Sequence, residues 1–150
     1  MYKIYHFKSL PSTQDKAKEF AKKGLSNVII IADVQTRGRG RFKRKWYSSK
    51  GGLWMSILLK PSTIQNLQYL TFSAAVAVVK AIKKILNLNI KIKWPNDVHY
   101  NGKKLCGILT EGIFGKENHV VVGIGVNVNQ NKFTKRCGCN TGNYSYSTFF

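Results

Sequence analysis

The chain has 150 residues, of which 43% are hydrophobic, enough for one compact domain with a core of ordinary size. It carries 25 lysine and arginine residues against 6 aspartate and glutamate residues, a formal net charge of +19. Such a charge attracts nucleotides, nucleic acids or acidic proteins, although a lysine-rich proteome would also produce it. The longest apolar-leaning stretch, residues 72–85, is interrupted by three lysines. We therefore expect no membrane span and, with no signal-peptide pattern, a cytoplasmic location.

The amino-terminal third predicts two strands around one helix. Residues 2–7 alternate in polarity, which is typical of a strand, and the β-branched run at residues 28–33 predicts a buried strand. Ser12 or Thr13 can cap a helix over residues 15–23 between them. Residues 35–46 then combine glycine with many charges, which favours a loop.

The rest of the chain predicts a long helix followed by hairpin-joined strands. Apolar residues recur at helical spacing over residues 64–86, and Asn101-Gly102 is a strong turn signal between two strands. The further strands are predicted at residues 53–60, 90–93, 98–100, 105–114 and 120–129. This order predicts an α/β (α+β) fold, a mixed sheet with helices packed on one face, rather than a doubly wound repeat.

The carboxyl-terminal residues 133–150 differ from the rest of the chain. They contain Cys137 and Cys139 but show no apolar period, so we expect no regular structure there. Two thiols without a nearby histidine do not form a zinc site, and an odd total of three cysteines, with Cys106, does not form a disulfide framework. Free thiols are therefore expected.

The loop at residues 37–45 is a candidate anion site. It holds six basic residues in nine positions, interrupted by Gly38 and Gly40. Glycine lets backbone N–H groups approach a ligand, and arginine matches carboxylate and phosphate oxygens. A dinucleotide fingerprint is excluded because the third glycine is missing, and a P-loop is excluded because no Gly-Lys-Ser or Gly-Lys-Thr follows. A solvated basic loop remains the alternative.

Two further segments are candidate ligand sites. Residues 93–97 (Lys-Trp-Pro-Asn-Asp) place Lys93 at the end of a strand, a usual position for functional groups. Residues 123–127 (Gly-Ile-Gly-Val-Asn) place two glycines within a strand, which favours close approach of another group. Asn127 offers a donor and an acceptor that match an adenine edge. A plain turn and a bulged strand, respectively, are the alternatives.

Taken in series, these motifs resemble those of biotin–protein ligases. They span about residues 9–131 and comprise Ser12-Thr13-Gln14, Gln35 with Gly38-Arg39-Gly40-Arg41 and Trp46, Lys93-Trp94-Pro95-Asn96-Asp97, Gly107-Ile108-Leu109-Thr110-Glu111, and Gly123-Ile124-Gly125-Val126-Asn127. The resemblance implies a class II aminoacyl-tRNA synthetase-like mixed sheet flanked by helices. It also implies a two-step reaction, in which biotin and ATP with Mg²⁺ give biotinyl-adenylate and a lysine of a biotin carboxyl carrier protein then takes the biotin.

The resemblance assigns roles residue by residue. The residues implied to bind biotin are Ser12, Thr13, Gln14, Gln35, Gly38, Arg39, Gly40, Arg41, Lys93 and Gly107. Those implied to bind the nucleotide are Arg41, Trp46, Lys93, Asn96 and Asn127. Lys93 and Arg41 would act in catalysis by lowering the repulsion between the biotin carboxylate and the α-phosphate. Many relatives carry Asn where Gln14 stands, and no metal ligands are indicated.

The resemblance also bears on domain organisation. It implies a catalytic domain over residues 1–132 that is incomplete at its carboxyl-terminal end, followed by the atypical segment 133–150. A truncation or frameshift would explain this, and no amino-terminal DNA-binding helix-turn-helix is recognised. Pairing of two copies through the sheet is expected to be possible.

Two other functions are compatible with the sequence. A lipoate- or octanoate-transferring enzyme would share the fold, although the loop and the Lys-Trp-Pro-Asn-Asp segment favour biotin. A basic nucleic-acid-binding module would explain the charge, but no aromatic platform motif of a known RNA module is present. Binding to nucleic acid that weakens steeply with salt, without biotinylation, would favour the module.

Overall fold

A computed structural model describes residues 1–62, 66–115 and 117–130. The segment 133–150, with Cys137 and Cys139, lies outside these residues. The elements in chain order are β1 (Lys3–Leu10), α1 (Thr13–Lys22), β2 (Val28–Gln35), β3 (Leu53–Leu59), α2 (Leu67–Leu86), β4 (Ile90–Lys93), β5 (Asp97–Tyr100), β6 (Lys103–Ile113) and β7 (His119–Val126).

The seven strands of the described residues form one sheet in the order β1-β2-β3-β7-β6-β5-β4. Only β1 and β2 pair in parallel, and every other neighbouring pair is antiparallel. The predicted mixed sheet is therefore confirmed. The central strands β3, β7 and β6 follow one another in space although a helix and two short strands separate β3 from β6 in sequence. That arrangement places the glycine motif of β7 in the middle of the sheet.

The two helices lie on opposite faces of the sheet. On β7, Val121 packs with α1, whereas Val120 and Val122 pack in the cluster that includes Ala75 of α2. Successive residues of a strand point to opposite faces, so one helix covers each side. The prediction that both helices pack on one face is therefore wrong. The continuous apolar run at residues 120–122 is what a strand buried on both sides requires.

Local signals account for the position of the first helix and the hairpin. The Ser12 hydroxyl, one of the two caps that the sequence allows, accepts a hydrogen bond from the backbone N–H of Asp15 at 3.4 Å and caps α1. Asn101 and Gly102 adopt φ values of 47° and 75°, the conformation of a tight two-residue hairpin turn. The long helix α2 begins at Leu67 within the described residues and ends at Leu86, as predicted. No helix in the described ranges is long and apolar enough to cross a membrane.

Cys106 is fully buried in the core under α2 and is a free thiol. Burial raises its pKa to about 12, because the thiolate would lose its hydration. We therefore expect Cys106 to resist iodoacetamide in the folded protein at pH 8 and to react once the protein is denatured. Peptide mass spectrometry after timed alkylation measures this directly. Rapid labelling of Cys106 under native conditions would contradict the buried position.

Candidate active site

A cavity opens on the α1 face of the sheet. It is bounded by the start of α1, by the loop that contains Gly40 and Trp46, and by the strands β3, β7, β6 and β5. Every residue predicted to bind biotin or nucleotide lines this cavity, except Gly38, Lys93 and Asn127. The motifs that are scattered along the sequence therefore meet at one place.

The strands carry glycines at the floor of the cavity, because the side chains of Trp46 and Gln14 pack directly on the backbone there. Gly107 of β6 and Gly125 of β7 are register partners, and the Trp46 indole lies across both. A Cβ at Gly125 would lie 2.7 Å from Trp46 Nε1, and one at Gly123 would lie 2.7 Å from Gln14 Oε1. The close approach predicted from the glycines is thus made by two side chains of the protein itself.

One end of the cavity is built from uncharged polar side chains, with Arg39, which is paired with Asp15 and Glu111, 3.5 Å from Ser12 Oγ. Gln35 Oε1 accepts hydrogen bonds from the Thr13 backbone N–H at 2.8 Å and from Thr13 Oγ1 at 3.0 Å. Gln35 Nε2 donates to Ser48 Oγ at 2.7 Å, and Ser56 Oγ donates to Gln14 Oε1 at 2.9 Å. Because these side chains are fixed by hydrogen bonds to one another, this end of the cavity is preorganised for a neutral ligand that has both donors and acceptors.

The other end of the cavity is cationic. Arg41 donates to Asn96 Oδ1 at 3.1 Å, and Asn96 in turn donates to the Ile108 carbonyl at 3.1 Å. Lys104 Nζ lies 2.7 Å from Asp97 Oδ1 and 5.1 Å from the centroid of the Trp46 ring. This end suits an anion such as a carboxylate or a phosphate.

Lys104 is a site residue that sequence reasoning missed. Its side chain lines the cavity and is only 20% exposed. Strict alternation from Gly107 would turn Lys104 towards α2, but the pairing of β5 with β6 shifts between Val98 and His99. The resulting bulge adds one residue to β6, and the side chain of Lys104 therefore points to the cavity face. The Lys103-Lys104 pair is visible in the sequence, whereas the bulge that selects between its members is not.

Three residues that were predicted to bind a ligand do not line the cavity. Lys93 is exposed on the edge strand β4, opposite Asp97 in the register, and does not line the cavity. Asn127 donates to the Lys104 carbonyl at 3.1 Å and accepts from Gln130 at 3.0 Å. A Cβ at Gly38 would lie 2.6 Å from the Trp46 carbonyl oxygen, so the loop itself requires a glycine there.

The basic loop forms a small hairpin. The Gly40 N–H donates to the Arg44 carbonyl at 2.8 Å and the Trp46 N–H to the Gly38 carbonyl at 2.9 Å. The turn residues Phe42 and Lys43 both have positive φ values, 55° and 57°, a conformation that favours Asn-Gly. Each such residue costs about 1–2 kcal/mol when it is not glycine. The loop therefore carries strain at its tip.

Replacing Phe42-Lys43 with Asn-Gly is expected to stabilise this hairpin. Relief of the two left-handed conformations should slow hydrogen exchange of the Gly40 and Trp46 amides several-fold. Exchange measured by mass spectrometry or NMR on the ligand-free protein tests this. The matched change Ser49-Lys50→Asn-Gly, outside the turn, should leave both amides unaffected. Faster exchange in the Asn-Gly variant of residues 42–43 would contradict the strained turn.

Arg39 is tied to protein carboxylates rather than pointing freely at a ligand. Its Nη1 lies 2.7 Å from Asp15 Oδ1 and its Nη2 lies 3.1 Å from Glu111 Oε2. Burial raises the pKa of Glu111, but hydrogen bonds from Gln14 and Lys18 and the charge of Arg39 outweigh it, so the pKa lies below its usual range. Glu111 is therefore ionised at neutral pH and anchors the loop.

The comparison with known proteins decides the family, because the sequence profile described as the biotin/lipoate A/B protein ligase family matches residues 6–129. The chain belongs to this ligase family. The resemblance predicted from the sequence is thereby confirmed, and so is the class II aminoacyl-tRNA synthetase-like mixed sheet flanked by helices.

Members of the ligase family resemble this chain over most of its length. The bifunctional ligase/repressor BirA of Bacillus subtilis is 47% identical over 133 residues, which cover 85% of this chain and 40% of BirA. The biotin–[acetyl-CoA-carboxylase] ligase of Mycobacterium tuberculosis is 33% identical over 112 residues, which cover 71% of this chain and 41% of that protein. The chain thus spans about two fifths of the length of these relatives.

Solved structures of the ligase family share the fold. The biotin protein ligase of Aquifex aeolicus in complex with biotin and ATP superposes with a TM-score of 0.80 at 37% identity, covering 91% of this chain and 57% of that one. A lipoate protein ligase of Thermoplasma acidophilum, at 14% identity and a TM-score of 0.58, shares the fold alone.

Proposed function

We propose that this chain binds biotin and ATP, forms biotinyl-adenylate and passes biotin to a lysine of a biotin carboxyl carrier protein. One observation carries the proposal: a single cavity joins a neutral polar end to a cationic end. Biotin has the matching distribution of charge, since it joins an uncharged ureido ring to a carboxylate. The biotin protein ligase of Aquifex aeolicus forms a complex with biotin and ATP, which supports the proposal.

The neutral end is suited to the ureido ring. That ring presents N–H donors and a carbonyl acceptor, and the cavity offers hydroxyl and amide groups of Ser12, Thr13 and Gln35. Thr13 and Ser12 are almost fully buried, so a ligand that contacts them must lose its hydration there. Buried polar partners reject a ligand that lacks the matching groups, because the protein groups are then left unpaired.

The cationic end is suited to the reacting anions. An oxygen of the biotin carboxylate would attack the α-phosphorus of ATP, and the bond to pyrophosphate would break. Lys104 and Arg41 both line the cavity, and their charges would lower the repulsion between carboxylate and phosphate. In the second step the amine of a carrier lysine would attack the acyl carbon and release AMP.

The remaining residue roles stay predictions. Lys93 would join the reaction only by reaching in from the edge strand, and Asn127 would reach adenine only by leaving its partners Lys104 and Gln130. The buried N–H of Trp46 has no acceptor among the described residues, which supports its predicted place beside the nucleotide. Pairing of two copies, the carrier as partner and the cytoplasmic location likewise stay predictions.

The described residues do not build a dedicated Mg²⁺ site. No group of three or more potential metal ligands occurs among them, and Asp97, their only carboxylate lining the cavity, is paired with Lys104. Mg²⁺ commonly enters such sites with the phosphates of its nucleotide. The dependence of the reaction on Mg²⁺ therefore stays a prediction, with the ion expected to arrive with the nucleotide.

Incorporation of labelled biotin into a carrier domain tests the proposal. Wild-type protein should label the carrier only with ATP and Mg²⁺, and should bind biotin in calorimetry. Thr13→Val, which removes one cavity hydroxyl, should weaken biotin binding about tenfold. The matched change Thr36→Val, at an exposed position outside the cavity, should not.

The outcomes separate the competing functions. Biotin binding without labelling would mean that the cavity is intact but the full reaction needs sequence found in the longer relatives. Labelling with lipoate or octanoate in place of biotin would favour the transferase alternative. Folded protein that binds none of these acids would contradict the proposal, and steeply salt-dependent binding to nucleic acid would then favour the basic module.

A further inference from the structure

Glu111 lies beside the cavity without lining it. It stands on β6 opposite Val121 of β7, and therefore faces α1 rather than α2. Its Oε2 accepts a hydrogen bond from Gln14 Nε2 at 2.8 Å, and its Oε1 lies 3.1 Å from Lys18 Nζ. Gln14, which does line the cavity, connects Glu111 to the polar end of the cavity.

Glu111 is also the centre of a row of alternating charges. The row runs from Lys18 through Glu111 and Arg39 to Asp15, with N–O separations of 3.1, 3.1 and 2.7 Å. The side chains of Glu111 and Arg39 are only 26% and 23% exposed, so water screens their attraction less than that of a surface pair. The row joins three parts of the molecule: β6, α1 and the basic loop.

We propose that Glu111 is a positioning residue that holds Gln14 in the cavity wall and fastens the basic loop over it through Arg39. A carboxylate is required at this position because Gln14, Lys18 and Arg39 all present donors to it. Glu111 makes no contact with the cavity, so it acts through these partners. The effect on biotin rests on the proposed function, whereas the effect on the loop does not.

The proposal predicts two separable effects of Glu111→Gln. An amide at this position turns an NH₂ group towards Lys18 or Arg39, so at least one attraction becomes a repulsion between donors. The loop should then open more often, and biotin should leave faster. The Kd and the KM for biotin should each rise about tenfold, as expected for loss of a charge-assisted hydrogen bond, while kcat changes less.

Hydrogen exchange of the ligand-free protein is the first test. Glu111→Gln should speed exchange of the Gly40 and Trp46 amides about tenfold, and Asp15→Asn, which frees the other side of Arg39, should act in the same direction. Glu19→Gln is the matched control, because it removes the same charge from a surface pair with Lys16. Unchanged loop exchange in both Glu111→Gln and Asp15→Asn would overturn the proposal.

A double-mutant cycle with biotin binding is the second test. If Glu111 acts through Arg39, Arg39→Met should weaken binding like Glu111→Gln, and the double variant should be no worse than the more severe single one. Additive losses would overturn the proposed coupling. Faster loop exchange in Glu111→Gln, together with wild-type protein that binds no biotin, would refute the proposed function alone.

Discussion

Lys104→Met is expected to slow formation of biotinyl-adenylate by about 10²- to 10³-fold, the usual cost of removing one preorganised group that stabilises developing charge. The Lys104 ammonium lies inside the cavity beside Asp97, where the carboxylate and the α-phosphate would meet. Methionine keeps most of the length of the side chain and removes its charge. Release of pyrophosphate in a single turnover measures the step directly.

The comparison with Lys93→Met decides which lysine carries the role. Lys93 is the residue that the sequence resemblance implies, whereas Lys104 is the one that lines the cavity. Lys91→Met provides the control, since Lys91 is an exposed lysine of the same edge strand. A large loss in Lys93→Met with normal rates in Lys104→Met would show that the sequence-based role is right and the one inferred from geometry is wrong.

Gly125→Ala is expected to remove Trp46 from the cavity floor. The added Cβ would lie 2.7 Å from Nε1 and 3.0 Å from Cε2 of the indole, which real contacts do not tolerate, so the ring must move. We expect the free energy of unfolding to fall by about 1–3 kcal/mol and binding of biotinyl-adenylate to weaken by more than tenfold. Urea unfolding and calorimetry measure these two quantities.

Gly115→Ala is the matched control for this prediction. Among the described residues, a Cβ at Gly115 would meet nothing closer than the Glu117 carbonyl oxygen at 3.9 Å, and the φ of Gly115 is not in the left-handed region. Unfolding and ligand binding should therefore stay close to those of the wild type. Equal behaviour of the Gly125 and Gly115 variants would contradict the position of Trp46 on the floor.

The sequence predicts those features that depend on local chemistry. Ser12 has the side chain of a helix cap, Asn101-Gly102 has the backbone freedom of a tight turn, and both act as predicted. The glycines of β7 predict a close approach, which Gln14 and Trp46 make. Such signals can be found because the cause lies within a few residues of its effect.

Features that depend on pairing between distant segments could not be predicted in this way. The direction of Lys104 depends on a bulge in β6 that exists only in its pairing with β5. The side of the sheet that each helix covers depends on which residues of β7 face it, and a run of valines fits either choice. The ties of Arg39 to Asp15 and Glu111 join residues 24 and 72 positions apart, beyond the reach of any short motif.

Strand β7 contributes residues to two regions on opposite faces of the sheet, the packed core under α2 and the ligand cavity. Val120 and Val122 belong to the interior under α2, while Gly123 and Gly125 line the ligand cavity. A substitution at Val122 would act on the packed interior, whereas one at Gly125 would displace Trp46 and change stability and ligand binding together. Deletion of one residue would exchange the two sets at once, filling the cavity with branched side chains and emptying the packed interior. A change in the length of this strand would therefore disturb both sides of the sheet, whereas a substitution changes only the surroundings of one residue.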